Sequence, residues 1–513
     1  LMGQGAGANV TTGGANTAMG RNAGFALTTQ GNNTMVGSQA GQNTAASYNT
    51  LVGALAGYNN GGALGNFNNF FGFGAGQNIQ GAAQKNVAIG VYAMYGNASN
   101  TSATASNVAI GHEAMKEIEG GYQNIGIGTE ALLNTTSGYR NIGIGFQALK
   151  SATAAAYVIA IGYLAGDAQT TDTEGSIYIG ASAGSADYGT NRSIFIGFDA
   201  GNKNTTGGNN LAIGHKALED NTTGIHNVVI GREAGKENTG NQNVALGTFA
   251  LYSSVAHYYN TAIGDGAMKG STSGDRNTAI GHMAMYSYEP ADGAGGNTVL
   301  GDRAAYTMST GHTNTMLGYT VAYQFTTGER NVIIGNEAGY GANTANYNVL
   351  IGESAGYHAS GMSSGVYIGR NAGNHVSGSD NTFIGTSAGI GQSAATHATI
   401  GSVAIGKNAM YYNSTWMTGD YNVAVGRQAL TDTTIGEGNV AVGYLAGKGV
   451  TTGINNVFIG LQAGQYNVGG SSNTIIGYLA GRNNTGNYNT ILGYEAGITQ
   501  TSSGRNTFLG YGA

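Results

Sequence analysis

One short pattern recurs along the whole chain and constrains its fold more than any other feature: Asn, then Thr or Val, an apolar residue, Ile or Leu, Gly, two variable residues and Ala. Asn227-Val228-Val229-Ile230-Gly231 followed by Ala234, and Asn473-Thr474-Ile475-Ile476-Gly477 followed by Ala480, are two examples. Counted on the glycine after the large aliphatic, 29 copies run from Gly20 to Gly510, and 17 of the 28 intervals are 17 residues long. A repeat this short cannot hold a helical pair, and 92 glycines make poor helices. The five residues ending at the glycine carry no charge in any copy and are rich in β-branched residues, as a short strand requires. Between copies stand turn formers, as in Asn204-Thr205-Thr206-Gly207-Gly208.

The pattern therefore predicts an all-β chain, a parallel β-solenoid or β-roll of about 30 rungs, forming a single continuous domain over residues 1–513. Each rung is expected to hold a strand, a glycine bend, a shorter strand around the alanine and a polar return loop. At about 4.8 Å per rung the stack would reach on the order of 140 Å. Numbering each rung from its glycine as position 0, alanine stands at +3 in 28 of 29 copies, Val321 being the exception, which predicts a corner with room for one methyl group. Asparagine stands at −4 in 24 copies, among them Asn86, Asn107, Asn210, Asn227, Asn243 and Asn473. Stacked at every rung, these amides are expected to bond along the axis as a ladder.

Alternate strand residues face opposite ways, and here both faces are apolar: −1 is Ile, Leu, Val, Met or Phe, while −2 runs from Ala212 through Val229 to Phe195 and Tyr367. A strand apolar on both faces is expected to be buried on both. A narrow roll can enclose only one of them, so another chain or another sheet is expected to cover the second, and a homotrimer closes such a bundle.

Asn86-Val87-Ala88-Ile89-Gly90, Asn107-Val108-Ala109-Ile110-Gly111 and Asn210-Leu211-Ala212-Ile213-Gly214 resemble the head repeats of YadA-like trimeric autotransporter adhesins. Similar repeats rich in glycine and asparagine occur in phage tail fibres and large bacterial surface proteins. The resemblance implies a left-handed parallel β-roll in a trimer, on a cell or virion surface. No heptad stalk or neck accompanies it here, and the return loop is longer than in those adhesins.

Composition narrows the function further. The formal net charge is −6 without a basic run, so no nucleic-acid partner is expected. There are no cysteines, which suits an extracellular location. No apolar run is long enough to span a membrane. The nine histidines are scattered without ligand spacing, and no acidic calcium-binding repeat recurs, so no metal, cofactor or enzymatic activity is expected. Threonines at −3, such as Thr261, Thr278, Thr298 and Thr315, alternate with valine and are expected to be buried, which counts against an ice-binding array.

Recognition is expected in the longer loops at 91–111, 282–301 and 386–426, whose aromatics Tyr286, Tyr288, Tyr411, Tyr412 and Trp416 suit contact with a glycan or surface receptor. The sequence thus points to a structural extracellular fibre or adhesin presenting loop surfaces. The alternative is a self-polymerising extracellular filament subunit that associates head to tail through uncapped ends, since the repeats run unbroken through the sequence.

Overall fold

The computed structural model describes residues 1–59, 64–79, 81, 83–96, 104–171, 175–188, 192–255, 257–290, 294–391, 397–411 and 419–513. The chain forms two compact units, Leu1–His257 and Tyr258–Ala513. Each is a parallel β-solenoid, with one turn of about 17 residues per repeat.

The first unit stacks 14 three-residue strands, from Thr17–Met19 to Val244–Leu246. The second stacks 15, from Thr261–Ile263 to Thr507–Leu509, with two two-residue strands at Val376–Ser377 and His397–Ala398. Like pairs with like throughout: Val228 lies beside Leu211, and Ile230 beside Ile213. Longer intervals leave this register intact, since Val87 pairs with Val108 and Thr278 with Thr298. The strand register is therefore independent of interval length.

The expected second strand around the alanine does not form. Positions +2 and +4 take left-handed backbone even where they are not glycine, as at Glu130 (φ 56°) and Leu132 (φ 53°), and an extended strand cannot pass through that region. The segment is a turn instead, closed by the N–H of Ala234 donating to the carbonyl of Gly231 at 3.3 Å. It still bonds along the axis, with Glu233 N–H to the His215 carbonyl (2.8 Å) and Gly235 N–H to that of Ala250 (2.8 Å). These axial bonds replace part of the pairing a strand would have supplied.

The rung glycine is required by close approach. At Gly231, φ is 140° and a Cβ would sit 2.4 Å from the carbonyl oxygen of Gly247 in the next rung. Any side chain there would force the rungs apart.

Inside each unit the core is a set of axial columns. Position −2 points inward and is fully buried in nearly every rung, as at Ala88, Phe195, Val229 and Tyr367, and the alanine at +3 is buried beside it. Position +4 completes the cross-section, and its bulk mirrors that of −2. Phe195, Tyr367, Phe383 and Phe458 each face a glycine, namely Gly201, Gly373, Gly389 and Gly464; Ala212, Ala262 and Gly126 are matched by Leu218, Met268 and Leu132. No rung is bulky at both positions. The contact is direct within a rung, where a Cβ on Gly464 would fall 2.2 Å from the Phe458 ring, and also between rungs, where one on Gly126 would fall 3.0 Å from Met115, at +4 of the preceding rung. Three rungs are small at both, Ala18/Gly24, Ala160/Gly166 and Ala441/Gly447, and each is followed by a bulky −2 residue, Met35, Tyr178 or Phe458.

The asparagine ladder forms as expected. Asn227 N–H and Nδ2 both donate to Asn210 Oδ1 (2.9 and 3.1 Å), and Nδ2 also donates to the Gly240 carbonyl (2.9 Å). Asn107 bonds Asn86 in the same way (3.0 and 3.3 Å), Asn243 N–H donates to Asn227 Oδ1 (3.0 Å), and Asn473 bonds Asn456 (2.9 and 3.1 Å). All are buried. Serine continues the ladder at Ser193, whose hydroxyl accepts from Asn210 N–H at 3.2 Å.

Candidate functional site

Among the described residues, an extensive uncovered surface is the outward side of each strand stack. Positions −3 and −1 alternate with the buried −2, so both point away from the core. None of these residues is charged. In the first unit, six consecutive rungs from Ile125 to Ile213 place only Ile or Leu at both positions. Ile161 and Ile230 keep 37% and 38% of their surface exposed, a large fraction for a residue in a regular sheet. In the second unit Leu300, Leu317, Val332, Ile405 and Ile459 are similarly open.

Among the described residues, the sequence expectation that this second face is covered by another sheet of the same chain does not hold within either unit. The threonines at −3 accordingly face outward: Thr298 and Thr315 are exposed, Thr261 and Thr278 half-buried. They share the face with the Ile or Leu at −1, so the outward surface is a mixed aliphatic face and not a threonine array.

With about 4.8 Å per strand and about 3.3 Å per residue, 14 three-residue strands present a planar face of about 670 Å². The largest apolar patch on an ordinary monomer is about 300–600 Å². A standard interface buries about 800 Å² per partner, and a corrugated surface of this planar size approaches it. Its spacing is also regular, so a second copy of the same solenoid would match it row for row.

Charged and aromatic side chains occupy the remaining outer columns. Lys150 Nζ lies 2.8 Å from Glu130 Oε2, and Lys203 Nζ 2.6 Å from Asp220 Oδ1. At −5, arginine lies over a tyrosine of the adjacent rung, as Arg140 does over Tyr157 (5.3 Å) and Arg330 over Tyr347 (5.2 Å). His282 pairs with Asp302 (2.9 Å) and His312 with Glu329 (2.9 Å), while His215 stacks on Phe198. Among the described residues, no group of three or more His, Asp or Glu is placed to hold a metal ion, and no helix is long and apolar enough to cross a membrane.

The aromatics expected to form recognition loops are dispersed. Tyr286 begins a column of stacked rings, Tyr286, Tyr306, Tyr323, Tyr340 and Tyr357, spaced 5.0–5.2 Å apart. Tyr288 is a correction: it is fully buried at +7, its hydroxyl donates to the Ala294 carbonyl (2.9 Å), and burial pushes its phenol well above the ordinary range. It fills the core and offers no face to a ligand. Tyr411 is half-buried, and its carbonyl accepts from Asp432 N–H at 3.2 Å. Tyr412 and Trp416 lie outside the described residues.

The sequence reading missed Gln77, Tyr92, Tyr95 and Lys116, which line a cavity together. They stand in the +2 and +5 columns: Tyr92 and Tyr95 fall within the long interval 91–111 but were not among the aromatics singled out there, Gln77 and Lys116 lie outside it, and the signal that could have found them is Gly74, a glycine at +2 between rungs with bulky +2 residues.

Fold and surface together define a β-solenoid repeat protein. No protein-family model matches the chain, and no curated protein matches it in sequence.

Proposed function

We propose that this chain is a structural fibre or adhesin of a cell or virion surface, built from several copies that associate along their outward sheet faces and present the remaining columns to a glycan or receptor. The observation that carries the reading is the uncharged aliphatic face of each unit, whose planar size is typical of a protein interface. Three copies around one axis, as the adhesin resemblance implies, would bring three such faces together. A solenoid suits mechanical load, because each rung is held by axial bonds to its neighbours, and repeated weak contacts along it would add through avidity. The chemistry of a catalyst plays no part in this reading.

The test is the mass of the purified chain by light scattering together with negative-stain imaging. Rods of finite length holding two or more copies are expected. Replacing Ile142, Ile144, Ile159 and Ile161 by lysine should then release single chains of unchanged β content. Open-ended filaments from this chain alone would favour the polymerising alternative, and a stable single chain before any substitution would overturn the reading.

A further inference from the structure

Outside the core, most aromatic rings stack face to face. Tyr306, Tyr323 and Tyr340 lie 5.1–5.2 Å apart with planes within 9° of parallel, so the inner ring has both faces covered. The arrangement changes near Tyr92. Phe73 and Tyr92 meet edge to face (5.3 Å, 81°), as do Tyr92 and Tyr95 (5.6 Å, 88°), and an edge-on neighbour leaves ring surface free.

One rung here lacks a side chain in the +2 column, and the Tyr92 ring leans over its place. Leu55, Tyr92 and Glu113 occupy +2 of their rungs, and Gln77, Tyr95 and Lys116 occupy +5. At +2 of the rung between Leu55 and Tyr92 stands Gly74, whose absent Cβ would lie 2.8 Å from Tyr92 Cδ1 and 3.1 Å from Gln77 Oε1. Beside it lies a surface cavity of about 330 Å³ lined by those six residues, at the small end of the roughly 300–1,000 Å³ range of ligand pockets.

Its chemistry is specific. Gln77 lines the cavity, and its Oε1 is buried without a hydrogen-bond partner; a turn of this half-buried side chain offers that acceptor to a donor in the cavity. Lys116 Nζ and Glu113 Oε1 are 3.0 Å apart, and this hydrogen bond holds the ammonium firmly protonated. The two charges cancel while leaving both groups able to bond a hydroxyl. Tyr95 keeps its place through a hydrogen bond from Asn78 Nδ2 to its hydroxyl (3.2 Å).

We infer that this cavity binds a neutral saccharide ring. The C–H face of the sugar lies against Tyr92, one hydroxyl donates to Gln77 Oε1, and neighbouring hydroxyls bond Glu113 and Lys116. A charged ligand is disfavoured because an anion meets Glu113 and a cation meets Lys116. The inference deepens the adhesin reading by naming its ligand class, but it rests on the cavity alone and holds whether or not copies associate.

Saturation-transfer NMR of the whole chain with glucose, galactose, mannose, N-acetylglucosamine and their short oligomers, and with galacturonic acid as a charged counterpart, tests it. At least one neutral sugar should receive saturation on its ring protons. Affinity should fall at least tenfold in Tyr92→Ala and Gln77→Ala. Gly74→Gln, which displaces the Tyr92 ring with a residue that position +2 already carries at Gln147 (φ 54°), should abolish binding, and Tyr323→Ala in the stacked column should leave it unchanged. No neutral sugar bound, galacturonic acid alone bound, or binding that survives Gly74→Gln would each overturn the assignment.

Discussion

The matched bulk of positions −2 and +4 can be broken and restored within one rung. Phe195 is fully buried, and a Cβ on Gly201 would lie 2.7 Å from its ring. Phe195→Ala leaves a cavity, at a cost of about 3–5 kcal/mol for such a truncation. Gly201→Leu drives a side chain into the ring, about 1–3 kcal/mol for overpacking, and places a non-glycine residue at φ 57°, about 1–2 kcal/mol more. Independent effects would sum to about 5–10 kcal/mol. The double variant, however, recreates the combination found one rung on at Ala212 and Leu218, where leucine sits at φ 56°. Its remaining costs are the left-handed leucine and the loss of the Tyr178–Phe195 ring contact at 5.9 Å, about 2–4 kcal/mol together. A favourable coupling of about 3 kcal/mol or more is therefore expected. A long repeat array need not unfold in one step, so the assay is hydrogen exchange of the axial amides on either side of the rung, such as Gly184 N–H, which donates to the Ala200 carbonyl, and Gly201 N–H, which donates to that of Ala217. Additivity within about 0.5 kcal/mol would refute the idea that the two positions share one volume.

Three further outcomes follow from the same geometry. Asn227→Ala removes the partner of Gly240 O and of Asn243 N–H; at about 1–3 kcal/mol for each buried group left unpaired, the local opening energy should fall by several kcal/mol, and Asn227→Ser, imitating Ser193, should recover part of it. Gly231→Ala should abolish amide protection in its own and the adjacent rung, since its methyl group would overlap Gly247 O; a variant with wild-type exchange rates would show that the rungs are not so tightly stacked. Glu130 accepts hydrogen bonds from Lys150 and Gln147, which hold its carboxyl below the ordinary range. A depressed folded value stabilises above the unfolded glutamate pKa and is lost as pH falls through the folded one; for a pair this exposed the contribution is at most about 1 kcal/mol, so Glu130→Gln should lower stability slightly at pH 7 and flatten the acid limb of a urea titration.

The strand, the alanine corner and the asparagine ladder were legible in the sequence because each is written once per rung, and repetition turns a weak local preference into a pattern. The turn after the glycine was not. Leu132, Glu130 and Met115 are poor left-handed residues on their own, and only axial bonding and the empty space opposite Gly126 and Gly143 make that backbone acceptable. Tyr288 was misplaced for a related reason: it falls within a 20-residue interval and reads as a loop residue, although counting from Gly281 puts it at +7, in line with buried Asn204, Asn221 and Asn238. The cavity beside Tyr92 is marked by an absence at Gly74, which a motif search does not see.

Because bulk at −2 is matched by +4 of the same rung, most repeats carry their own share of core volume, even though +4 also packs against −2 of the next rung, as Met115 does against Gly126. Duplicating, deleting or exchanging one whole repeat leaves its neighbours facing the backbone, ladder amide and alanine they already face. Changes of repeat number are therefore expected to be tolerated better than changes within a repeat. Ala18/Gly24, Ala160/Gly166 and Ala441/Gly447 are the exceptions. They borrow volume from Met35, Tyr178 and Phe458 in the following rung, so each of those pairs of repeats has to be inherited as one piece.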